Sequence, residues 1–321
     1  DKVKVKLVCT GDAIKVFNSF KKYFVEEHKF NSVNLILKEL TPSILFTGTS
    51  EYSNQERLFW YESKRLNIKT IAIIDSWTNI KERFIYFPVE NNGEKLVQPD
   101  IIIIPDDNLR EQIDNEGWCV SDLKVCGQPH LEKSSSFFEK KRNIKKVENS
   151  SLMFISEPVI EKRNIRPIGY DQFSVASQLV NQLLGGIVTK IIIKPHPKEN
   201  IDNWQKWKNS WPKEIKKNLV ISDLTIKELI LNSEFIVGMA SMALIEAAMS
   251  GSISIAIQPH RKYIPNIFVD NCDQIKLLIQ TDNLSKNFEE IKDKFISSSA
   301  IQKSLFFSST KRTSELILKY I

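Results

Sequence analysis

The stretch that most constrains the chain is residues 191–197, IIIKPHP, where an apolar run ends in a lysine and a histidine set between prolines. Three consecutive β-branched residues predict a buried parallel strand. Pro195 and Pro197 forbid helix at and before themselves, so the chain leaves the sheet as an extended loop. Lys194 and His196 then stand at a strand's carboxyl edge, where open α/β sheets bind ligands. A cation beside a rigidly held imidazole suits a phosphate or diphosphate; the plainer alternative is a basic strand end in water.

Residues 234–258, EFIVGMASMALIEAAMSGSISIAIQ, predict strand, glycine turn, helix, glycine stop and strand, a βαβ unit. Residues 235–237 make the strand and Gly238 the turn, and Ser241 is expected as N-cap of a helix over 242–249 opened by Met242. The free N–H groups of such a helix, its dipole and the Ser241 hydroxyl can hold a phosphate. Glu246, five residues past the cap, projects toward whatever sits above the N-terminus, and a ribose diol is the usual partner for such a carboxylate. The alternative is an ordinary capped crossover helix with a surface glutamate.

KPHP followed by GMASMALIEAAMSG resembles the carboxyl-terminal half of GT-B glycosyltransferases, particularly bacterial enzymes that use CMP-activated acidic sugars. The histidine–proline element is similar to the HP motif of bacterial sialyltransferases and Kdo transferases, and the serine-bearing helix to their nucleotide-phosphate site. Related patterns occur in CDP-glycerol glycerophosphotransferases and UDP-N-acetylglucosamine 2-epimerases. The resemblance implies two doubly wound, Rossmann-like α/β domains facing a central cleft. It also implies Ser156 and Glu157 at the cleft edge of a strand over 152–155.

A chain of 321 residues suits two domains, each able to bury a core. The expected division is an acceptor-side domain over 1–132, a serine-rich basic linker over 133–151 that includes Lys140, Lys141, Arg142, Lys145 and Lys146, and a nucleotide-sugar domain over 152–321. The net charge of +6 is too small for a nucleic-acid-binding tail, though it favours anionic donors and lipid headgroups. Cys9, Cys119, Cys126 and Cys272 have no C-x-x-C spacing, so neither a zinc site nor a disulfide framework is expected, and a reducing cytoplasm fits, with at most a peripheral place at the membrane. No apolar run approaches the roughly 20 residues that span a bilayer.

In the first half, residues 3–9 alternate lysine with valine or leucine and predict the opening strand, followed by a turn at Asp12 and an amphipathic helix through Phe17, Phe20 and Phe24. Asp12 is either a helix cap or a cleft residue. The hydroxyl-rich turn over 47–56 offers Glu51 and Glu56 as first-turn helix charges or acceptor contacts. A strand over 69–74 ends in Asp75, Ser76 and Trp77. IIDSW resembles, loosely, the acidic motif of bacterial sialyltransferases, with one acid where that motif has two and tryptophan in place of glycine. Asp75 is therefore the candidate base, a turn cap being the alternative, and Arg83 is a candidate for holding a substrate carboxylate by a bidentate contact. Residues 100–105 and 123–132 predict further strands, with His130 in a surface loop.

The function expected is an inverting, metal-independent transfer of a nonulosonic or ulosonic acid from a CMP-activated donor to a glycan or glycoconjugate, with no cofactor. Lys194, His196 and the Ser241 helix would neutralise the departing phosphate, and Asp75 would take the acceptor proton. The alternatives are a UDP-sugar transferase, a 2-epimerase-like enzyme, a CDP-glycerol-type phosphotransferase, or a non-catalytic nucleotide- or glycan-binding scaffold. The sequence has no D-x-D, no G-x-x-x-x-G-K-[ST] and no G-x-G-x-x-G, which disfavours metal-dependent transferases, kinases and dehydrogenases.

Overall fold

A computed structural model of the chain describes residues 3–25, 32–51, 53–86, 95–141, 150–159, 169–259, 275–296 and 308–321. The first half contains helices α1 (Asp12–Val16), α2 (Val33–Leu40), α3 (Gln55–Arg65), α4 (Asp107–Glu116) and α5 (Pro129–Lys141). Its strands are β1 (Ile44–Thr47), β2 (Lys69–Ile73), β3 (Ile85–Tyr86), β4 (Lys95–Leu96), β5 (Ile101–Ile104) and β6 (Asp122–Val125). Four of these form a parallel sheet in the order β1-β2-β5-β6, and β3 pairs with β4 as a small antiparallel ribbon.

The second half runs β7 (Ser151–Ile155), α6 (Gln172–Leu183), β8 (Lys190–Lys194), α7 (Ile201–Asn209), α8 (Lys213–Lys216), β9 (Leu219–Ile221), α9 (Ile226–Asn232) and β10 (Phe235–Gly238). It continues with α10 (Ala243–Met249), β11 (Ile253–Ile257), β12 (Ile275–Leu278), α11 (Leu284–Ile296) and α12 (Ser309–Leu318). The strands form one parallel sheet in the order β12-β11-β10-β7-β8-β9.

Both sheets are covered on both faces, which is why their strands read as continuous aliphatic runs. In β5, Ile102 and Ile104 pack with Ala72, Trp60 and Phe84, while Ile101 and Ile103 join Ile71 on the other face. That second face is closed by Leu316 and Ile317 of α12, the last helix among the described residues. In β7, Leu152 and Phe154 meet Leu179, Trp204 and Phe288 from α6, α7 and α11, whereas Met153 and Ile155 meet Leu131 and Phe138 of α5 and Leu244 of α10. Each such side chain, fully buried, contributes about 1.5–3 kcal/mol.

Three expectations are corrected. Residues 3–9 form no sheet strand. Leu7 makes a single bridge to Phe24, and Val3 and Val5 are exposed, so only the Leu7–Cys9 end of the alternation finds cover. The helix expected through Phe24 stops at Val16 and gives way to a 3₁₀ turn over Asn18–Tyr23, where Asn18 and Ser19 are weak helix formers. The closing segment, expected to be helical from 274, opens instead with β12 on the sheet edge. Helix α5 occupies the first part of the expected linker and buries Leu131, Ser134 and Phe138; Arg142, Lys145 and Lys146 lie outside the described residues.

Candidate functional site

Because β7 pairs in parallel with both β8 and β10, the loops after all three leave the same edge of the second sheet. Ser156 and Glu157 follow β7, Lys194 closes β8 ahead of His196, and Ser241 and Met242 follow β10. The two stretches singled out in the sequence therefore flank one strand at its carboxyl end.

The loop carrying His196 is held by a residue that the sequence did not single out. Glu199 Oε2 accepts the His196 backbone N–H at 2.5 Å, and Oε1 accepts from Ser156 Oγ at 2.8 Å, Gln172 Nε2 at 3.1 Å and Trp204 Nε1 at 3.2 Å. Ser156, Gln172 and Trp204 are buried. This corrects Ser156, expected as a cleft-facing hydroxyl: the carboxylate draws it inward. His196 Nδ1 accepts the Lys198 N–H at 3.1 Å, so the neutral ring carries its proton on Nε2. Lys194 Nζ reaches across to the Asp223 carbonyl at 3.2 Å.

The loop after β10 is fixed from two sides. Glu157 Oε1 accepts from Ala240 N at 2.6 Å and Met239 N at 3.3 Å, and the buried Gln258 amide donates to the Met239 carbonyl at 2.7 Å. Glu157 thus pins two backbone donors of the loop between β10 and α10. Met242, not Ser241, is the N-cap of α10; Ser241 lies one residue earlier and its Oγ accepts from Ala243 N at 3.3 Å. Gly238 is the last residue of β10 rather than a turn. A Cβ there would lie 3.3 Å from Leu244, so the missing side chain lets α10 pack directly on the strand.

Glu246, expected to face a ribose, is buried where α10 packs on α5. Its Oε1 pairs with His130 Nε2 at 3.0 Å and its Oε2 accepts from Ser134 Oγ at 2.8 Å. Burial alone would push this carboxyl up. The hydrogen bonds from His130 and Ser134, with the charges of His130 and Lys227, outweigh it and hold the carboxyl below its ordinary value. His130 accordingly belongs to the first turn of α5, not to a surface loop.

In the first half, Asp75 follows β2 and is exposed, with 72% of its side chain in solvent, and its Oδ1 lies 3.0 Å from Arg83 Nη1. Arg83 Nη1 also donates to the Thr49 carbonyl at 2.7 Å, so Arg83 ties the loop after β1 to the loop after β2. Glu51 Oε2 accepts from Asn79 Nδ2 at 3.1 Å. Glu56 Oε2 is buried without a hydrogen-bond partner. Arg57, which no sequence pattern marked, is fully buried and donates to the carbonyls of Ser50, Ser53, Glu51 and Glu82. Burial lowers its pKa, against the opposing charges of Glu56 and Glu51. Trp77, beside the candidate base, is buried and donates to Asp106 Oδ2 at 2.6 Å, so the tryptophan of IIDSW is structural.

A short run of contacts joins the two carboxyl edges. The Asp75 carbonyl accepts from Gln128 Nε2 at 3.0 Å, and two residues on His130 meets Glu246 at the start of α10. The segment over 128–130 thus links the loop after β2 to the helix after β10.

No family model matches the chain, and no curated protein does. Solved structures do match. UDP-GlcNAc 2-epimerase from Neisseria meningitidis bound to UDP-GlcNAc has a TM-score of 0.61 at 14% identity, over 95% of this chain and 88% of that one. The UDP-bound MnaA of S. aureus has a TM-score of 0.62 at 12% identity, over 99% and 89%. MurG of Acinetobacter baumannii has a TM-score of 0.50 at 11% identity, over 98% and 91%. What the chain shares with them is the GT-B fold, two Rossmann-like domains that face one another through the carboxyl ends of their strands.

Proposed function

We propose that the chain is a nucleotide-sugar enzyme whose donor is a UDP-sugar. The observation that carries this is the shared edge of β7, β8 and β10, which gathers Lys194, His196, Ser241 and Met242 beside one strand end. The uridine donor is favoured over CMP by the likeness to structures bound to UDP-GlcNAc and UDP. Glycosyl transfer and 2-epimerisation both fit this site, and a CMP-activated acidic sugar is the second reading, kept because KPHP resembles the HP motif.

In this assignment Lys194 and His196 Nε2–H neutralise charge on the departing phosphate. A preorganised donor of this kind is worth about 3–4 kcal/mol in the transition state. Asp75 removes a proton, its carboxylate oriented by Arg83; such a step contributes ~100- to 10,000-fold. Glu157 and Glu199 fix the donor-side loops, Glu246 holds α10 to α5 through His130 and Ser134, and Glu51, Glu56 and Arg83 shape the acceptor side. The chemistry calls on no metal and no cofactor, and the acceptor is a glycan or glycoconjugate handled in a reducing cytoplasm.

Calorimetric titration with UDP, CMP, CDP and GDP tests the donor. UDP is expected to bind most tightly, and to raise the melting temperature by mass action. Tighter CMP binding restores the acidic-sugar reading, and binding of none of the four removes the nucleotide site altogether. His196→Ala and Asp75→Asn should each abolish turnover of an accepted donor; unchanged turnover would remove the roles assigned to them, and no turnover of any donor by the parent chain would leave a binding scaffold.

A further inference from the structure

The segment that failed to become a strand and a long helix presents an unusual surface. Among the described residues, six of the seventeen large apolar side chains left exposed lie between Val3 and Phe20: Val3, Val5, Ile14, Val16, Phe17 and Phe20. Val16 is 73% exposed, and Phe17 and Phe20 form an aromatic pair with ring centroids 6.5 Å apart. Interleaved with them are Lys4, Lys6, Lys15, Lys21 and Lys22, all exposed, against the single acid Asp12 across residues 3–25. Lys22 Nζ lies over the Tyr23 ring, 4.8 Å from its centroid. On its inner side the segment is anchored: Leu7 N–H donates to the Tyr23 carbonyl and the Leu7 carbonyl accepts from Val25 N–H across the Leu7–Phe24 bridge, and Val8 packs against the α2–α3 cluster of Ile36, Leu37 and Phe59.

We propose that this face docks on an anionic lipid surface, with Val16, Phe17 and Phe20 inserted at the headgroup boundary and the lysines against lipid phosphates. Clustered apolar side chains need cover, and the charge set among them selects what supplies it. Lysine stems run along apolar matter while their ammonium groups stay at a polar boundary, which suits a membrane interface. A second copy of the same face is disfavoured, because a twofold contact would set the lysines of one molecule against those of the other. Lys140 and Lys141 end α5 and carry no part of this proposal. The inference does not depend on the donor nucleotide, so either can fail alone.

Co-sedimentation of the full chain with vesicles of phosphatidylcholine mixed with phosphatidylglycerol, and with phosphatidylcholine alone, tests it. Binding to the mixed vesicles only is expected, weakening with salt, with a loss of about fivefold for each of Lys21→Gln and Lys22→Gln. The double variant Phe17→Ser, Phe20→Ser should lose roughly tenfold or more, with its melting temperature unchanged because both rings are exposed. Lys140→Gln with Lys141→Gln should bind as the parent does. The proposal is overturned by no binding of the parent chain, by equal binding to both vesicles, or by unchanged binding of the lysine and phenylalanine variants. Self-association that those variants abolish, without vesicle binding, would assign the face to a second copy instead.

Discussion

Glu246 Oε1 lies 3.0 Å from His130 Nε2, and this pair joins the helix after β10 to the helix that leaves the first sheet. The carboxyl is held below its ordinary value of 4.5, because its hydrogen bonds and the charges near it outweigh the burial that would raise it. The unfolded chain therefore takes up the proton first. The contribution is present above the ordinary value and is lost as pH falls through the folded one. Asp106 has the opposite sign: burial raises its pKa, so its contribution is complete below the ordinary value and declines as pH rises through the folded one.

Glu246→Gln should cost about 1–3 kcal/mol at neutral pH. On acidification through the glutamate range it should lose less melting temperature than the parent chain, since the titrating group is gone while Asp106 is common to both. Melts followed by circular dichroism at descending pH measure the difference; parallel curves would deny the pair any part in acid stability.

Glu199→Gln should destabilise by about 2–3 kcal/mol, because the new amide N–H₂ faces a set of donors and leaves at least one buried donor unpaired. As the same carboxylate holds the His196 backbone, the indole N–H resonance of Trp204 should shift on variation. Nucleotide affinity should also drop by more than the stability loss explains. A variant that melts low but binds nucleotide normally would limit Glu199 to a structural part.

Arg57→Met should cost about 3–5 kcal/mol, since it strips a buried guanidinium from the carbonyls of Ser50, Glu51, Ser53 and Glu82 together. Arg57→Lys should recover little, because one ammonium cannot reproduce the planar fork. Urea denaturation reads both, and a mild effect from the Met variant would show that the loop repacks.

Gly127→Ala should lose about 2–3 kcal/mol from two sources. Gly127 has φ of +84°, a left-handed backbone that side chains rarely adopt, and an added Cβ would run into Ser309 Oγ and come within 2.8 Å of Arg312 Nη2. Adding Ser309→Ala should return part of the loss, leaving the backbone strain. Full recovery in the thermal melt would mean that the left-handed conformation costs nothing here.

Much of the fold was legible because buried parallel strands are written locally: IIII over 101–104 and III before KPHP need no partner to be read. The capping pair of Asp171 with Ser174 is equally local. The place of Lys194 and His196 at a strand's carboxyl end was legible because their motif sits in one loop. The site was not legible at Arg57, whose Glu82 partner is 25 residues away, or at Glu246, whose His130 partner is 116 away. Only the packing of α10 on α5 creates that pair, and the same packing turned Glu246 inward. The lysine–valine alternation of residues 3–9 misled for a related reason: period two states that a strand is feasible, while a neighbouring strand decides whether it forms.

Helix α12, which follows the second sheet in the chain, lies over Ile71, Ile101 and Ile103 of the first sheet. During synthesis the first sheet therefore emerges with one flank bare, and keeps it bare until α12, made after the whole second sheet, has left the ribosome. Folding of the first sheet is completed by residues made after the second, so a stop codon placed just ahead of α12 would injure the half of the fold that precedes it.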